Sequence, residues 1–158
     1  MLVRDVMNTR PIAIQVTDTV GNASRTMKAN EISGMPVLDG EKVVGVISES
    51  DILKLLSVEE EGSLWLPSPF EVFEIPFRDL VKWERMHTAA EDISKKRVSE
   101  VMSRNVREIE PDISVEEAAA IMTNHRINRL PVVENGRLVG IITRGDIISG
   151  LGTRHVED

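Results

Sequence analysis

The sequence predicts an α+β (α/β type) fold made of two β-α-β-β-α repeats, packed sheet to sheet with pseudo-two-fold symmetry. Three observations lead to this prediction. The chain repeats itself at a fixed offset of 95 residues. Within each copy, short apolar stretches typical of strands flank stretches with helical spacing. Each copy also contains a β-branched run that ends at a hydroxyl residue, with a carboxylate three residues later and a new helical pattern after it.

The duplication is visible from the first residues. Val3-Arg4-Asp5-Val6-Met7 returns as Val98-Ser99-Glu100-Val101-Met102, and the register then holds without a gap for about fifty residues. Chance similarity would not keep one register for so long, so the chain is a tandem duplication. A unit of this size can hardly bury enough surface to be stable alone, and we therefore expect the two copies to pack as an intramolecular pair.

The first strand and helix of each copy follow from pattern and capping. Residues 12–16 alternate apolar and polar as a short strand does, and residues 106–110 match this pattern more weakly. Ser114 and Glu117 have the spacing of a capping box at a helix start, and Thr19 occupies the place of Ser114 in the first copy. A stripe of small and apolar residues at helical spacing follows in the second copy: Val115, Ala118, Ala119 and Met122.

Two further strands and a helix complete each copy. The predicted strands are residues 35–38 and 43–47 in the first copy, and 130–133 and 138–142 in the second. The turn signals Asp39-Gly40 and Asn135-Gly136 predict a tight hairpin between them. The final helices are predicted to start at about Asp51 and Asp146.

The predicted domains are residues 1–56, the first repeat; 57–97, an insert; 98–151, the second repeat; and 152–158, a tail. The insert carries the aromatic residues of the chain and three prolines between residues 64 and 76. The prolines argue against a regular helix there, and the aromatic residues argue against a flexible linker. A helix is predicted from Phe77 to Ile93. We expect an ordered arm that packs on the repeats, or else an interface with a second subunit or a lid over a ligand.

The composition limits the classes of function. The net charge of −7 predicts no bulk attraction to nucleic acid or to an anionic membrane, although residues 95–97 form a local basic spot. The absence of cysteine excludes disulfides, thiolate metal sites and thiol nucleophiles. The three histidines have no metal-ligand spacing, so no metal site is predicted. The start of the chain is too short and too charged for a signal peptide, and no apolar run has membrane-spanning length. We therefore expect a cytoplasmic protein.

The two hydroxyl-x-x-carboxylate turns, Ser48 to Asp51 and Thr143 to Asp146, have two interpretations. A helix N-terminus attracts anions, and a carboxylate one turn later accepts well from a pair of hydroxyls such as a ribose cis-diol. The spacing therefore suits a ribonucleotide, with phosphate at the hydroxyl residue and ribose at the aspartate. The same spacing is also that of an ordinary helix cap. A single copy would favour the cap, whereas two copies at equivalent places strengthen the ligand hypothesis.

At this point the sequence resembles the CBS domain family, named for cystathionine β-synthase. The resemblance covers residues 3–56 and 98–151. It depends on Val-x-x-Val-Met at the start of each repeat, on Met35-Pro36-Val37 and Leu130-Pro131-Val132-Val133, and on the two turns after a Gly-apolar-apolar run. The resemblance implies a paired module that binds adenosyl compounds such as AMP, ADP, ATP or S-adenosylmethionine in a central cleft, without a catalytic residue or cofactor. It also implies a homodimer.

The resemblance also implies the roles of particular residues. Asp51 and Asp146 would bind ribose, and Ser48 and Thr143 would lie by the phosphate. The positions that would lie on the adenine side are Pro11, Ile12, Ala13, Met35, Pro36, Val106, Arg107, Leu130 and Pro131.

The two sites are not expected to be equal. Arg129 and Arg144 of the second repeat are good bidentate partners for phosphate, whereas the first repeat has Gly34 and Glu49 in these places. We expect the Thr143 site to take a phosphorylated adenosine. The first site is expected to be empty or to take a positively charged ligand such as S-adenosylmethionine. Each site of a pseudo-symmetric cleft also contains residues from the other repeat, so Arg129 is a candidate for either of the two sites. The alternative role of Arg129 and Arg144 is that of solvated surface charges.

Three functions follow as hypotheses. The first is a regulatory module that binds an adenosyl compound, signals by a shape change and acts on a separate effector protein or on the insert itself. The second is a nucleotide-acting enzyme, which the sequence disfavours because it shows no P-loop, no nucleophile–base pair and no metal cluster. The third is a protein–protein adaptor with vestigial sites, for which the aromatic insert would be suited.

Overall fold

The computed structural model describes residues 1–60 and 90–153, with the backbone only for residues 57–60. A 3₁₀ turn at Val3–Asp5 precedes the regular elements. These are, in chain order, β1 (Ile14–Gln15), α1 (Val20–Ala29), β2 (Gly34–Asp39), β3 (Lys42–Ser48), α2 (Glu49–Glu60), α3 (Val98–Val101), α4 (Val115–His125), β4 (Arg129–Glu134), β5 (Arg137–Thr143) and α5 (Arg144–Thr153).

The first repeat has the predicted β-α-β-β-α order, and the mixed α and β content is confirmed. Its strands form one sheet in the order β1-β2-β3, with Ile14 of β1 parallel to Val37 of β2. In the second repeat β4 and β5 form an antiparallel pair. The predicted strand at 106–110 is reduced to a single parallel bridge between Ile109 and Val132, because Ile109 is the one buried residue in that polar segment.

The helix starts follow the capping chemistry. Thr19 Oγ1 accepts the Asn22 N–H at 3.2 Å, and Ser114 Oγ accepts the Glu117 N–H at 3.1 Å. The residues of α1 and α4 that are buried repeat at the predicted spacing: Val20, Ala23, Met27, Val115, Ala118 and Met122. Helices α2 and α5 begin at Glu49 and Arg144, two residues earlier than predicted. The reason is that the hydroxyl residue of each turn, and not the aspartate, is the N-cap.

The hairpins correct one detail of the prediction. The second has a two-residue turn, Asn135-Gly136, with φ of 53° and 77°, which is the left-handed pair that a type I′ hairpin needs. In the first hairpin β2 runs through Asp39, and the turn is Gly40-Glu41. The predicted turn was one residue too early. Gly40, with φ of 63°, is the equivalent of Asn135 at the 95-residue offset, so the register of the duplication continues through the hairpin.

The chain divides into two compact units that do not follow the repeats. Unit 1 comprises Met1–Gln15, Met35–Val46 and Arg104–Asp158. Unit 2 comprises Val16–Gly34 and Ile47–Ser103. The start of each repeat thus belongs to the same unit as the helices of the other repeat. We call these starts the first leader (residues 1–8) and the second leader (residues 96–102).

In unit 1 the first leader is bound to the start of α4. The Val3 N–H donates to the Ile113 carbonyl at 3.0 Å, and the Val115 N–H donates to the Met1 carbonyl at 3.0 Å. Val3 is fully buried in a core whose other members come from the second repeat: Ile109, Val115, Ala118, Met122, Leu130, Val132, Ile142 and Ile147. The first leader therefore completes the core of the second repeat.

In unit 2 the second leader makes the equivalent bonds to the start of α1. The Val98 N–H donates to the Asp18 carbonyl at 2.8 Å, and the Val20 N–H donates to the Lys96 carbonyl at 2.9 Å. These bonds map onto those of the first leader at the same offset of 95 residues. The exchange of leaders is therefore a duplicated feature, which the sequence analysis did not predict.

Most of the predicted insert lies outside the described residues. This applies to the proposed arm over 64–76 and to most of the predicted helix from Phe77 to Ile93. The described end of that segment, residues 90–95, is helical, and Ile93 is buried. Within 1–60 and 90–153, no helix is both long enough and apolar enough to cross a membrane.

Candidate functional site

The turn between β5 and α5 holds a carboxylate in a closed hydrogen-bonded ring. Asp146 Oδ2 accepts the Thr143 N–H at 2.7 Å and the Thr143 Oγ1 hydroxyl at 2.8 Å. In return, Thr143 Oγ1 accepts the Asp146 N–H at 3.2 Å. The ring is a reciprocal helix cap, and it fixes the position of Asp146. Within 1–60 and 90–153, the other carboxylate oxygen, Oδ1, has no hydrogen-bond partner.

The turn between β3 and α2 in unit 2 has the same ring. Asp51 Oδ2 accepts the Ser48 N–H at 2.9 Å and the Ser48 Oγ hydroxyl at 3.0 Å, while Ser48 Oγ accepts the Asp51 N–H at 3.3 Å. The capping interpretation of both turns is thus correct. It does not exclude a ligand, because each ring uses only one oxygen of its aspartate.

The strands of unit 1 bring further predicted residues to the Thr143 turn. Arg129, the first residue of β4, pairs directly with Thr143, the last residue of β5. The Arg144 N–H donates to the Asn128 carbonyl at 3.1 Å, which ties the first turn of α5 to the residue before β4. The start of β4 and the start of α5 therefore lie side by side at one end of the strand pair.

A third segment, around Ile109, lies beside β4. The Ile109 N–H donates to the Pro131 carbonyl at 3.0 Å, and the resulting bridge runs parallel to β4. Arg107 lies two residues before this bridge, at the same end of the sheet as Arg129 and Arg144. Arg129 and Arg144 thus lie on the two segments that meet at the Thr143 turn, and Arg107 lies on a third segment beside β4. The equivalent residues of the first repeat, at the 95-residue offset, are Ile12, Gly34 and Glu49, which carry no positive charge.

Asn128 directly precedes β4, in the segment 128–131 that the resemblance to the family places on the adenine side. The sequence did not predict the contacts of its side chain. Its side-chain oxygen accepts from Nε of Arg129 at 3.1 Å, in addition to the bond that its carbonyl makes to α5. Ser33 is its equivalent, and the Ser33 carbonyl accepts the Glu49 N–H at 2.9 Å. The backbone bond is therefore duplicated, whereas the side-chain bond belongs to the second repeat. In the sequence, the signal for this side-chain bond was that Asn128 and Ser33, which are equivalent at the 95-residue offset, differ in residue type.

All the site residues predicted for the second repeat belong to unit 1. Thr143, Asp146, Val106 and Arg129 are half-buried, and Arg107 and Arg144 are exposed. The residues predicted for the first repeat are divided between the units. Pro11, Ile12, Ala13, Met35 and Pro36 belong to unit 1, and Ser48 and Asp51 belong to unit 2.

Four residues predicted on the adenine side have no solvent-accessible side chain. Met35, Pro36, Leu130 and Pro131 are each less than 2% exposed and contribute to the interior of the protein. The remaining adenine-side candidates, Pro11, Ile12, Ala13, Val106 and Arg107, are half-buried or exposed.

The described residues contain no group of three or more His, Asp or Glu side chains that could hold a metal ion. The Thr143 turn itself offers a fixed carboxylate and a capped helix N-terminus, with Arg129 paired to Thr143 and Arg144 as the first residue of α5.

The fold and these turns define a tandem α+β module with one capped carboxylate turn in each repeat. The CBS domain family model matches residues 3–58 and 98–152, which is most of the chain. This chain belongs to the CBS domain family.

The relatives agree with this assignment. The uncharacterized protein MJ1426 of Methanocaldococcus jannaschii is 40% identical over 154 residues, with 96% of this chain and 91% of the relative covered. The structure of protein MJ1225 from the same organism has a TM-score of 0.72 and 26% identity, and the match covers 95% of this chain and 47% of that one. The CBS domain pair of protein MJ0100, in complex with 5′-methylthioadenosine and S-adenosyl-L-methionine, has a TM-score of 0.70 and 26% identity, with 98% of both chains covered.

Proposed function

We propose that this chain is a regulatory module that binds an adenosyl compound with a 5′-phosphate at the Thr143 turn of unit 1 and has no catalysis of its own. The observation that carries the proposal is the fixed carboxylate of half-buried Asp146, in a turn where Arg129 pairs with Thr143 and Arg144 begins α5. The first-repeat turn has the same carboxylate but none of these arginines.

Ribose recognition follows from the geometry of the Thr143–Asp146 ring. A ribose cis-diol presents two neighbouring hydroxyl donors, and Asp146 Oδ1 is an acceptor without a partner in the described residues. Because Thr143 already fixes the carboxylate, little conformational entropy remains to be lost when a ligand binds. A hydrogen bond to a charged group contributes about 1.5–3 kcal/mol, so the aspartate supplies a substantial part of the affinity.

Phosphate recognition follows from the charges around the turn. Arg129 pairs with Thr143 at the N-terminus of α5, and Arg144 is the first residue of that helix. Arg107, which was predicted on the adenine side, lies on a neighbouring segment and adds a third positive charge. Guanidinium groups pair with phosphate through two parallel hydrogen bonds, and a helix N-terminus adds a favourable dipole. A ligand with a sulfonium group, such as S-adenosylmethionine, would face repulsion here. AMP, ADP and ATP are therefore the favoured ligands of this turn.

The comparisons support the adenosyl part of the proposal. The domain pair of MJ0100 binds 5′-methylthioadenosine and S-adenosyl-L-methionine, and it matches this chain along nearly its whole length. To the Ser48 turn, where Glu49 takes the place of Arg144, we assign either no ligand or a positively charged one such as S-adenosylmethionine. A cytoplasmic location and a separate effector protein are part of the same proposal.

A homodimer also belongs to the proposal. Leu53 and Leu56 of α2, and Ile148 and Leu151 of α5, are large apolar side chains that are exposed at equivalent positions of the two repeats. Sedimentation equilibrium measures the mass directly. A mass of one chain at micromolar concentration would contradict this part of the proposal.

The adaptor with vestigial sites is the second candidate, because both aspartates already accept hydrogen bonds within their helix caps. It predicts no ligand at either turn. An enzyme is the least favoured hypothesis, and turnover of ATP by the purified chain would support it.

Thermal unfolding of the purified chain separates these candidates. The ligands are AMP, ADP, ATP, 5′-methylthioadenosine, S-adenosylmethionine and GMP. A ligand at a hundred times its Kd stabilises the chain by about 2.7 kcal/mol, which is a rise in Tm of roughly 5–10 °C. We expect the rise with a phosphorylated adenosine and not with GMP. No rise with any of these ligands would leave the turns as caps and favour the adaptor.

A further inference from the structure

The second repeat holds one of its arginines by a side-chain bond that the first repeat lacks. Asn128 Oδ1 accepts from Arg129 Nε at 3.1 Å, and the Asn128 carbonyl accepts the Arg144 N–H at 3.1 Å. One residue thus joins the guanidinium of Arg129 to the N-terminus of α5. Its equivalent Ser33 makes the backbone bond to α2, and the residue after Ser33 is glycine.

The position of this bond on the guanidinium is informative. Nε is the donor nearest the aliphatic stem, so a partner there restrains the plane of the whole group. The two Nη atoms form the edge that pairs with phosphate through two hydrogen bonds. An arginine ordered in advance loses less side-chain entropy when it takes up an anion. Asn128 therefore contacts the guanidinium at the donor nearest its stem and is placed to orient the two Nη atoms of Arg129.

We infer that Asn128 is a positioning residue that sets the preference of the Thr143 turn for the phosphorylated over the unphosphorylated form of its ligand. The inference rests on the proposed function of this turn. The chemical class that it selects is an adenosine 5′-phosphate, and the class that it does not favour is adenosine itself or a 5′-thioether.

The test is the ratio of the Kd of adenosine to the Kd of AMP, measured by calorimetry. We expect Asn128→Ala to lower this ratio about threefold to tenfold, because restraining one long side chain changes affinity by that amount. The Kd of adenosine is expected to stay unchanged, since adenosine has no phosphate for Arg129 to bind. The backbone bond to Arg144 remains in this variant, so loss of folding is not expected.

A double-mutant cycle distinguishes positioning from a general structural effect. If Asn128 acts through Arg129, then Asn128→Ala has no effect on the ratio in an Arg129→Ala background. The matched control is Ser33→Ala, which removes a side chain at the equivalent position of the first repeat and is expected to leave the ratio unchanged.

The outcomes distinguish a failure of the inference about Asn128 from a failure of the proposed function. If AMP binds and Asn128→Ala leaves the ratio unchanged, or lowers it equally with and without Arg129, the inference is wrong and the proposed function stands. If the unmodified chain binds none of adenosine, AMP, ADP and ATP, the proposed function is wrong and the inference fails with it.

Discussion

The two strand–helix turns are nearly identical as helix caps and different in their surroundings. The hydroxyl-to-carboxylate bond is 3.0 Å between Ser48 and Asp51 and 2.8 Å between Thr143 and Asp146. The return bond from the aspartate N–H is 3.3 Å in the first turn and 3.2 Å in the second. The cap is therefore a property of the duplicated unit, and it does not by itself make one turn a binding site.

The difference lies in the residues around the cap. At the 95-residue offset Arg107, Arg129 and Arg144 replace two uncharged residues and Glu49. The duplication thus preserves the scaffold of the turn, and we propose that single substitutions on three segments decide which ligand charge the turn accepts. Equivalent substitutions made in both turns test whether the caps are alike while ligand binding differs.

The largest effect is expected from Asp146→Asn. Asparagine can still accept from Thr143 and keep the cap, but it loses the charge and one acceptor for the ribose hydroxyls. We expect the affinity for AMP to fall by about a hundredfold, since hydrogen bonds to a charged acceptor contribute about 1.5–3 kcal/mol each. Calorimetry with AMP measures the loss. Asp51→Asn is the matched control, and an equal loss in that variant would contradict the assignment of AMP to the second turn.

The next effect is expected from Gly140→Ala, in the strand that leads to Thr143. An added Cβ would lie 2.6 Å from Sδ of Met7 and 2.9 Å from the backbone oxygen of Asn8. Asn8 also exchanges two backbone bonds with Ile141, of 2.9 and 3.0 Å, so the first leader cannot move without breaking them. We expect a loss of about 1–3 kcal/mol in the free energy of unfolding.

Urea unfolding measures this loss, and Gly152→Ala provides the control. A Cβ at Gly152 meets nothing within 4 Å, so alanine there is expected to leave the stability unchanged or slightly raised. Equal stability of Gly140→Ala and Gly152→Ala would show that the first leader does not hold β5 as described.

The smallest effect concerns the caps themselves. Ser48→Ala and Thr143→Ala each remove the hydroxyl that closes the ring, and the loss of such a cap costs about 1 kcal/mol. Because the two rings have the same bonds, we expect the two variants to lose equal stability in urea unfolding. A much larger loss at one of the turns would mean that the caps are not equivalent.

The elements of the fold could be predicted because their signals are local. Capping residues such as Ser114 and turn residues such as Asn135 act within a few positions of the chain, and the structure has them in the expected roles. The exchange of leaders could not be predicted in this way. The apolar pattern shows that Val3 is buried, but not that the partner of its N–H is Ile113 of the other repeat.

The candidate site was predictable to a similar extent. The turn, its aspartate and the arginines were visible as residue types at a fixed spacing, and their role as ligand contacts stays a prediction. The role of Asn128 depends on the direction of one side chain, and no sequence pattern reports that direction. The burial of Leu130 and Pro131 likewise depends on packing by residues distant in sequence.

The most direct test of the difference between the turns is an NMR titration of the isotopically labelled chain with AMP, followed through backbone amides. We predict that the amides of Thr143, Gly145 and Asp146 shift and saturate with AMP, while those of Ser48 and Asp51 do not shift at the same concentrations. Equal shifts at both turns, or shifts at neither, would contradict the account.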